Sequence, residues 1–292
     1  CRFASKIPLN PIGCGFEAII IILHKFITRR HYKIVIINDD SYDMLVNNNP
    51  FTKRHARAVK AMMPFVDDVI NVEPRVAAYN QEKYQKGIYF PIICDDVIAK
   101  KRLERVLPIS HNYVKNYQLE GKMVLLFVGR LVALKNVEFA LRAFIKANLD
   151  NTVFVIVGDG PEKEKLEKIA AGNPAVFFTG RLEGDELYAW YNVAQVFTLP
   201  SYKEPFGAVT NEALVAGCKV LISKDAGSNC LVKDGKNGFI IDSRHEMNFI
   251  EKLKLAFYSM KPLKMPLEVK GNMMISSFEE NIKKLYSCIS NS

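Results

Sequence analysis

Short apolar runs, unbroken by polar alternation, recur along this chain and are separated by amphipathic segments. Strands buried on both faces of a parallel sheet have this continuous apolar character, and amphipathic helices cover the two faces of such a sheet. The alternation predicts a βαβ architecture, whose right-handed crossovers build doubly wound sheets that bind ligands beyond the carboxyl ends of the strands. The predicted strands are 33–38, 42–46, 68–72, 123–128, 152–157, 175–179, 195–199 and 219–222, and the predicted helices are 17–30, 136–147, 162–171, 185–193, 210–216 and 278–289.

Length and cysteine usage narrow the class of protein. A chain of 292 residues exceeds one comfortable core and indicates two domains, with a predicted linker at 106–119 that contains Pro108. No apolar run approaches the ~18 residues that a membrane span requires. The six cysteines are scattered, with no CxxC and no histidine at metal spacing, which predicts reduced thiols rather than a disulfide framework or a zinc site.

Positive charge is concentrated in the first part of the chain. Residues 1–115 hold 18 Lys and Arg against 11 Asp and Glu, within a net charge of +9 for the whole chain. This surplus predicts an anionic partner such as a phosphate or an acidic membrane face, although a solvated helix face is the simpler alternative. Nucleic acid is not expected, because no basic motif interleaved with aromatic residues accompanies the charge.

Two cations follow the predicted strand 123–128. Gly129-Arg130-Leu131 comes directly after it, and Lys135 lies four residues further on, at the start of the next helix. An arginine fork and a lysine point charge at a strand end are suited to a diphosphate. Taken alone, both side chains are more simply explained as solvent-facing, so the motif gains meaning only from its neighbours.

Two glycine motifs lie at similar places. Gly158-Asp159-Gly160-Pro161 follows the strand 152–157 and has part of a dinucleotide fingerprint, but the third glycine is missing, which favours a plain turn. Gly13-Cys14-Gly15 leads into the first helix. Its backbone amides form either an anion seat or a structural turn.

A pair of glutamates follows the predicted strand 195–199. Glu204 and Glu212 are eight positions apart, with Pro205-Phe206-Gly207 between them and a helical pattern after them. One carboxylate on a loop and one in a helix can face the same crevice, an arrangement suited to a ligand with many hydroxyls. A helix-start acid with a solvated neighbour is the alternative interpretation.

The order of these motifs, each after a strand, resembles the nucleotide-sugar-binding domain of the retaining GT-B glycosyltransferases of glycosyltransferase family 4, the group 1 transferases. The resemblance is strong over 122–241 and fainter over 11–38. It implies an α/β GT-B fold with two Rossmann-like domains facing across a cleft, the N-terminal one short or truncated. The implied domains are 1–117, an incomplete acceptor-side domain; 118–272, which binds the nucleotide sugar; and 273–292, a C-terminal helix returning towards the first domain.

The resemblance also implies the catalytic residues. Arg130 and Lys135 match the pair that grips the donor diphosphate and stabilises the departing nucleoside diphosphate. Glu204 matches the carboxylate that contacts the reacting end of the donor sugar, and Glu212 matches the carboxylate that holds the ribose. Preorganised cations at a leaving diphosphate are what this chemistry requires.

Further donor contacts follow from the same resemblance, at the glycine-rich loop, beside the base and at the amides that open the helix 210–216. Cys230 stands where many relatives carry an acid, and Asn47-Asn48-Asn49 stands where a histidine is common. The implied donor-binding residues are Gly15, Gly129, Arg181, Leu182, Phe206, Gly207, Ala208, Val209 and Glu212.

The resemblance implies retention of anomeric configuration, with no cofactor and no divalent metal. No DxD-type motif accompanies the strands, and the adjacent acids Asp39-Asp40 and Asp67-Asp68 are more simply loop and strand-edge charges. The nucleotide sugar is therefore a substrate, with a UDP-sugar slightly favoured over a GDP-sugar.

The resemblance implies a hexosyltransferase that acts on an acceptor hydroxyl in surface polysaccharide, lipopolysaccharide or capsule biosynthesis. The expected partners are a nucleotide sugar and a glycan or lipid-linked acceptor. The expected location is the cytoplasm, with a peripheral contact between the basic first domain and the inner face of the membrane. Two alternatives remain open: a sugar-nucleotide epimerase of similar fold, and a non-catalytic module that binds nucleotide sugar.

Overall fold

The computed structural model describes residues 16–28, 33–38, 42, 57 and 60–291. The helices are α1 (Phe16–Thr28), α2 (Pro74–Tyr84), α3 (Asp96–Arg105), α4 (Leu107–Asn116), α5 (Val137–Ala147), α6 (Lys163–Ala170), α7 (Gly184–Val193), α8 (Val209–Val215), α9 (Glu246–Tyr258) and α10 (Phe278–Asn291). The strands are β1 (Val35–Asn38), β2 (Asp68–Asn71), β3 (Ile88–Tyr89), β4 (Met123–Val128), β5 (Thr152–Val157), β6 (Val176–Gly180), β7 (Val196–Leu199), β8 (Lys219–Ser223) and β9 (Gly238–Ile241).

One compact unit contains the described residues up to Ile92 together with those from Glu279 onward. Its three strands are parallel, in the order β1-β2-β3. The predicted strand 42–46 lies outside the described residues apart from Tyr42, which is helical. The core of this unit joins α1 to the sheet through Ile22, Ile34, Ile36, Met62, Met63, Val66 and Val69.

The second compact unit, Ile93–Phe278, contains a parallel sheet with the strand order β6-β5-β4-β7-β8-β9. Chain order therefore runs outward from β4 to one edge and then outward from β7 to the other, as in a doubly wound sheet. Every residue of β5 and β7 is buried, which explains why their sequences are continuously apolar. The reversal between β4 and β7 opens a crevice at the carboxyl ends of these two strands.

Residues 93–116 form α3 and α4 and pack within the second unit, so the predicted linker at 106–119 is wrong. The ring of Tyr113 stacks on Trp190 of α7, with 4.6 Å between centroids and 21° between planes. Pro108 lies in the first turn of α4, where a missing N–H breaks no helical hydrogen bond. The second unit therefore begins at Ile93, before α3 and α4.

The helix α5 packs on the sheet of the second unit through one apolar face. In α5, Ala140, Leu141 and Phe144 are buried, whereas Arg142 and Lys146 on the opposite side are exposed. This division is the amphipathic pattern expected of a helix that covers a sheet. Within the part of the chain that the structure describes, no helix combines the length and the apolar character needed to cross a membrane.

Candidate functional site

The loops that leave β4 and β7 meet at the reversal point of the sheet. The loop after β4 contains Lys135 at the end of the 3-10 turn Ala133–Lys135, and the loop after β7 contains Glu204. The Tyr202 amide donates to the Leu134 carbonyl at 2.9 Å and ties the two loops together. Two residues that are far apart in sequence are thereby brought into one crevice.

Lys135 and Glu204 form an ion pair in which the ammonium contacts Oε2 of the carboxylate. The two side chains are only 20% and 12% exposed. A partly buried charge is costly without a partner, so each side chain stabilises the other. The sequence motif predicted both residues as catalytic, and the structure brings them into direct contact.

The backbone around Glu204 is held by a second loop, at 225–228. The Glu204 amide donates to the Asp225 carbonyl at 3.3 Å, and the Gly227 amide donates to the Glu204 carbonyl at 3.0 Å. A Cβ atom on Gly227 would lie 2.1 Å from the Pro205 carbonyl oxygen, so only glycine permits this close approach. The role of Gly227 in holding Glu204 was not predicted from the sequence, where only Cys230, three residues further on, was singled out.

The segment that follows Glu204 exposes backbone amides at the start of α8. Those of Gly207, Ala208 and Val209 donate to no acceptor among the described residues. The neighbouring side chain of Phe206 is buried and anchors the segment to the core. Unbonded amides beside Glu204 are suited to an anion.

Glu212 lies in α8 and faces two tyrosines of α7, which the sequence analysis did not single out. Its carboxylate accepts a hydrogen bond from the Tyr191 hydroxyl at 2.9 Å and a longer one from the Tyr188 hydroxyl at 3.4 Å. Burial raises the pKa of Glu212, although the two hydroxyls and the nearby Arg102 act in the opposite direction. The tyrosines are three residues apart on one helix, a pattern that only the fold connects to Glu212.

The other predicted site residues are arranged more openly. Arg130 is exposed, and its guanidinium has no hydrogen-bond partner within the described part of the chain. Arg181 is exposed and paired with Glu183, at 2.9 Å from Nε to Oε1, and the next residue, Leu182, is half-buried. The structure therefore leaves these three outside the ion pair of Lys135 and Glu204.

Of the two glycines Gly15 and Gly129 that were predicted as donor contacts, Gly129 lies among the described residues. The Gly129 amide donates to the Val157 carbonyl at 3.0 Å, which joins the ends of β4 and β5. A Cβ atom on Gly158 would lie 1.8 Å from the Gly129 carbonyl oxygen, so these two loops pass within contact of each other. Gly15 lies outside the described residues, as do Asp39-Asp40 and Asn47-Asn48-Asn49.

A shallow cleft of about 380 Å³ lies beside the predicted site and contains none of the predicted site residues. Its charged side chains neutralise one another, since Lys165 pairs with Glu138 at 2.5 Å and with Glu162 at 3.3 Å. In the residues that the structure describes, no group of three or more His, Cys, Asp or Glu is placed to hold a metal ion. The cleft is lined by Leu131, Val132, Ala133, Asn136, Val137, Glu138, Phe139, Arg142, Glu162, Lys165, Leu166 and Tyr202.

The same region of the chain matches a known family. Residues 111–265 match the family described as glycosyl transferases group 1. The match covers more than half of the chain and includes Arg130, Lys135, Glu204 and Glu212. The chain belongs to the group 1 glycosyl transferases.

Two curated proteins are similar to this group 1 glycosyl transferase over part of their length. The sulfoquinovosyl transferase SQD2 of Arabidopsis thaliana is 35% identical over 136 residues, which are 46% of this chain and 26% of SQD2. The GDP-mannose-dependent alpha-mannosyltransferase of Mycolicibacterium smegmatis is 34% identical over 128 residues, which are 44% of this chain and 32% of that protein. The aligned part therefore spans about a third or less of either relative.

The fold of this group 1 glycosyl transferase is similar to that of solved structures. The Anabaena protein HepE, solved in complex with UDP, superimposes with a TM-score of 0.65 at 17% identity, covering 94% of this chain and 76% of HepE. A likeness at this level of identity concerns the fold alone. It confirms the predicted fold class, the α/β GT-B fold with parallel sheets.

Proposed function

We propose that this group 1 glycosyl transferase moves a hexosyl group from a nucleotide-sugar donor to an acceptor hydroxyl, with retention of anomeric configuration and without a divalent metal. The observation that carries the proposal is the convergence of Lys135, Glu204 and the unbonded amides of Gly207, Ala208 and Val209 at the reversal point of the sheet. Ligands of open α/β sheets bind at this point.

The chemistry that the site suits is departure of a nucleoside diphosphate. As the bond between sugar and phosphate breaks, negative charge develops on the leaving diphosphate. Lys135, the exposed Arg130 and the amides that open α8 supply positive potential at one side of the crevice. These groups are held by the fold before the reaction begins, so little reorganisation is required when the charge develops.

When the donor binds, its diphosphate replaces Glu204 as the ionic partner of Lys135. When the diphosphate binds, the Lys135 ammonium exchanges one anion for another and releases the Glu204 carboxylate. Glu204 then accepts hydrogen bonds from hydroxyls at the reacting end of the sugar. The exchange avoids leaving either charge buried without a partner. Glu212, in the first turn of α8, accepts from the ribose hydroxyls.

The nucleotide and the stereochemistry are proposed from likeness. UDP is slightly favoured because HepE, which shares the fold, was solved with UDP, although a relative is named for its dependence on GDP-mannose. Retention is proposed because the motifs resemble those of the retaining transferases. Transfer is proposed to need no cofactor.

The acceptor is proposed to be a glycan or a lipid-linked glycan of surface polysaccharide, lipopolysaccharide or capsule synthesis, reached from the cytoplasm. The surplus of basic residues in the first 115 positions supports an anionic acceptor or a membrane surface, and nucleic acid is not proposed as a partner. The full chain should sediment with vesicles that contain phosphatidylglycerol at low salt and should be released by high salt, because ions screen exposed charges. Equal binding to neutral phosphatidylcholine vesicles would contradict an electrostatic contact.

The proposed function is tested by measuring release of nucleoside diphosphate from a panel of UDP-sugars and GDP-sugars, with and without candidate acceptors and with EDTA. We expect release that depends on an acceptor and resists EDTA, with a product whose anomeric proton shows retention. Lys135→Ala should weaken both nucleotide binding and release, whereas Lys254→Ala, at an exposed position of α9, should change neither. Conversion of the nucleotide sugar without an acceptor would instead indicate an epimerase, and nucleotide binding without release would indicate a non-catalytic module.

A further inference from the structure

Two tyrosine hydroxyls donate hydrogen bonds to the carboxylate of Glu212. Tyr188 and Tyr191 lie on one face of α7, and each hydroxyl donates to a different oxygen of the Glu212 carboxylate. An ionised carboxylate has about four acceptor positions. Two of them are occupied by the tyrosines, so two remain for a pair of neighbouring hydroxyls on a ligand.

The Tyr191 hydroxyl donates its hydrogen bond to the Glu212 carboxylate. Tyr191 is fully buried, and Glu212 Oε2, at 2.9 Å, is the acceptor that the structure gives its hydroxyl. A buried phenol that loses its acceptor leaves a polar group unsatisfied, so the pairing fixes the rotamers of both side chains. The Tyr188 contact is longer, at 3.4 Å, and should contribute less.

The side chain of Arg102 packs against the ring of Tyr188. Its guanidinium lies 3.8 Å from the centre of the Tyr188 ring, a cation–π contact, and its Nε lies 3.2 Å from Asp185 Oδ1. Arg105 binds the same carboxylate, with 2.6 Å from NH2 to Oδ1. The ring that faces Glu212 is therefore held between α3 and α7.

The elements packed around Glu212 bring few charges to it. Tyr188 and Tyr191 come from α7, Arg102 from α3 and Cys94 from the segment before α3. Burial, together with Glu212 and Asp95, raises the pKa of Cys94 to about 11, so this thiol is neutral. Of the remaining neighbours, β7 carries no titratable side chain, the 3-10 turn Gly227–Leu231 carries Cys230, and the ammonium of Lys219 on β8 donates to the Ser259 hydroxyl at 2.6 Å.

We propose that Tyr191, assisted by Tyr188, is a positioning residue that orients the Glu212 carboxylate for the ribose of a nucleotide and, by donating to it, favours its ionised form. The inference rests on the proposed function, because it assigns the supporting groups of the same donor site. It is independent of the residues that act on the sugar. Burial alone pushes Glu212 towards its protonated form, which would have only part of the acceptor capacity that two ribose hydroxyls need.

The first test needs no ligand. The Glu212 carboxyl can be titrated by carbon-13 NMR in protein with labelled glutamate, and its signal is identified by its loss in Glu212→Gln. In Tyr191→Phe we expect the pKa of Glu212 to move upward by about one pH unit, because a charge-assisted hydrogen bond to the ionised form is removed. Tyr188→Phe should give a smaller upward shift, and Tyr258→Phe, at a residue that is 91% exposed, should give none. An unchanged pKa of Glu212 in Tyr191→Phe would overturn the inference.

The second test measures the affinity for UDP and for GDP between about pH 5 and pH 9 by calorimetry. Because protonation of Glu212 weakens its grip on the ribose, affinity should fall as the pH falls, and the midpoint should lie about one pH unit higher in Tyr191→Phe. At the alkaline end the variant should bind as well as the parent. A loss of affinity that is equal at every pH would indicate structural damage and overturn the positioning role. If the parent bound neither nucleotide while the pKa of Glu212 still moved, the proposed function would fail and the nucleotide half of the inference with it.

Discussion

Gly207 is a residue on which the shape of the loop that carries Glu204 depends. Its φ is +92°, and a Cβ atom would lie 2.5 Å from Leu199 Cδ2 and 3.2 Å from Glu204 Cγ. Gly207→Ala therefore strains the backbone and pushes against the glutamate beside it. We expect a loss of about 2–3 kcal/mol in the free energy of unfolding, measured with urea, and weaker nucleotide binding.

The matched control for this variant is Gly235→Ala. Gly235 also has a positive φ, of +78°, but a Cβ atom there meets nothing within 4 Å. Its substitution should cost only about 1 kcal/mol, from the backbone alone, and should leave nucleotide binding unchanged. If the two variants lost equal stability and equal affinity, crowding at Glu204 would not be the cause.

Glu212 should lower the stability of the folded chain at neutral pH. Burial raises its pKa above the ordinary value of 4.5, so the folded state binds the proton more tightly than the unfolded state does. Stability is then lost as the pH rises from about the ordinary value through the raised pKa, since the unfolded chain releases the proton first. Glu212→Gln removes this loss, so the variant should gain stability relative to the parent as the pH is raised from about 4 to about 8. A difference in unfolding free energy that is constant over this range would contradict the account.

At the residue scale, the sequence predicted the site residues that directly follow a strand. Lys135 and Glu204 follow two strands whose ends must meet, so their proximity was foreseeable from topology. The pairing of Tyr191 with Glu212 depends on how α7 packs beside α8, which local periodicity does not encode. The site is therefore predictable in its charged centre and not in the groups that support it.

At the scale of elements, α4 packs against α7 within the second unit through aromatic side chains. Trp190 is fully buried, with Tyr113 stacked on it and the edge of Tyr117 at 5.2 Å between centroids. We expect Tyr113→Ala to lower the free energy of unfolding by about 2 kcal/mol, through lost burial and stacking. Tyr258→Ala, on the exposed side of α9, should change it little. A loss no larger than that of the control would show that 93–116 contributes little to the second unit.

Continuous apolar runs predicted the bounds of strands correctly where the strands are buried on both faces. The predicted ranges 123–128 and 152–157 agree with β4 and β5. Six other elements were not predicted, namely β3, β9, α2, α3, α4 and α9. The strand β9 opens on a glycine and exposes Ile240, and β3 has two residues, so neither has a usable period. The helix α4 was interpreted as a linker because Pro108 interrupts its pattern, although proline is well tolerated in a first helical turn.

At the scale of the whole molecule, the doubly wound topology brings Lys135 and Glu204 together at the point where the strand order reverses. The segment 259–277 holds the carboxyl end of α7, because the Lys270 ammonium donates to the Tyr191 carbonyl at 3.1 Å and to the Ala194 carbonyl. A cation at the carboxyl end of a helix satisfies its last carbonyls. The helix that presents Tyr188 and Tyr191 to Glu212 is thus fixed at its far end as well.

The central claim is that Glu204 acts on the donor sugar while Lys135 holds the diphosphate. Its most direct test is the initial rate of nucleoside diphosphate release by Glu204→Ala, with Glu251→Ala, at an exposed glutamate of α9, as the matched control. We predict that release falls at least about 100-fold in Glu204→Ala, while nucleotide affinity is kept because Lys135 remains free to bind phosphate. Release at the parent rate by folded Glu204→Ala protein would contradict the assignment of this site.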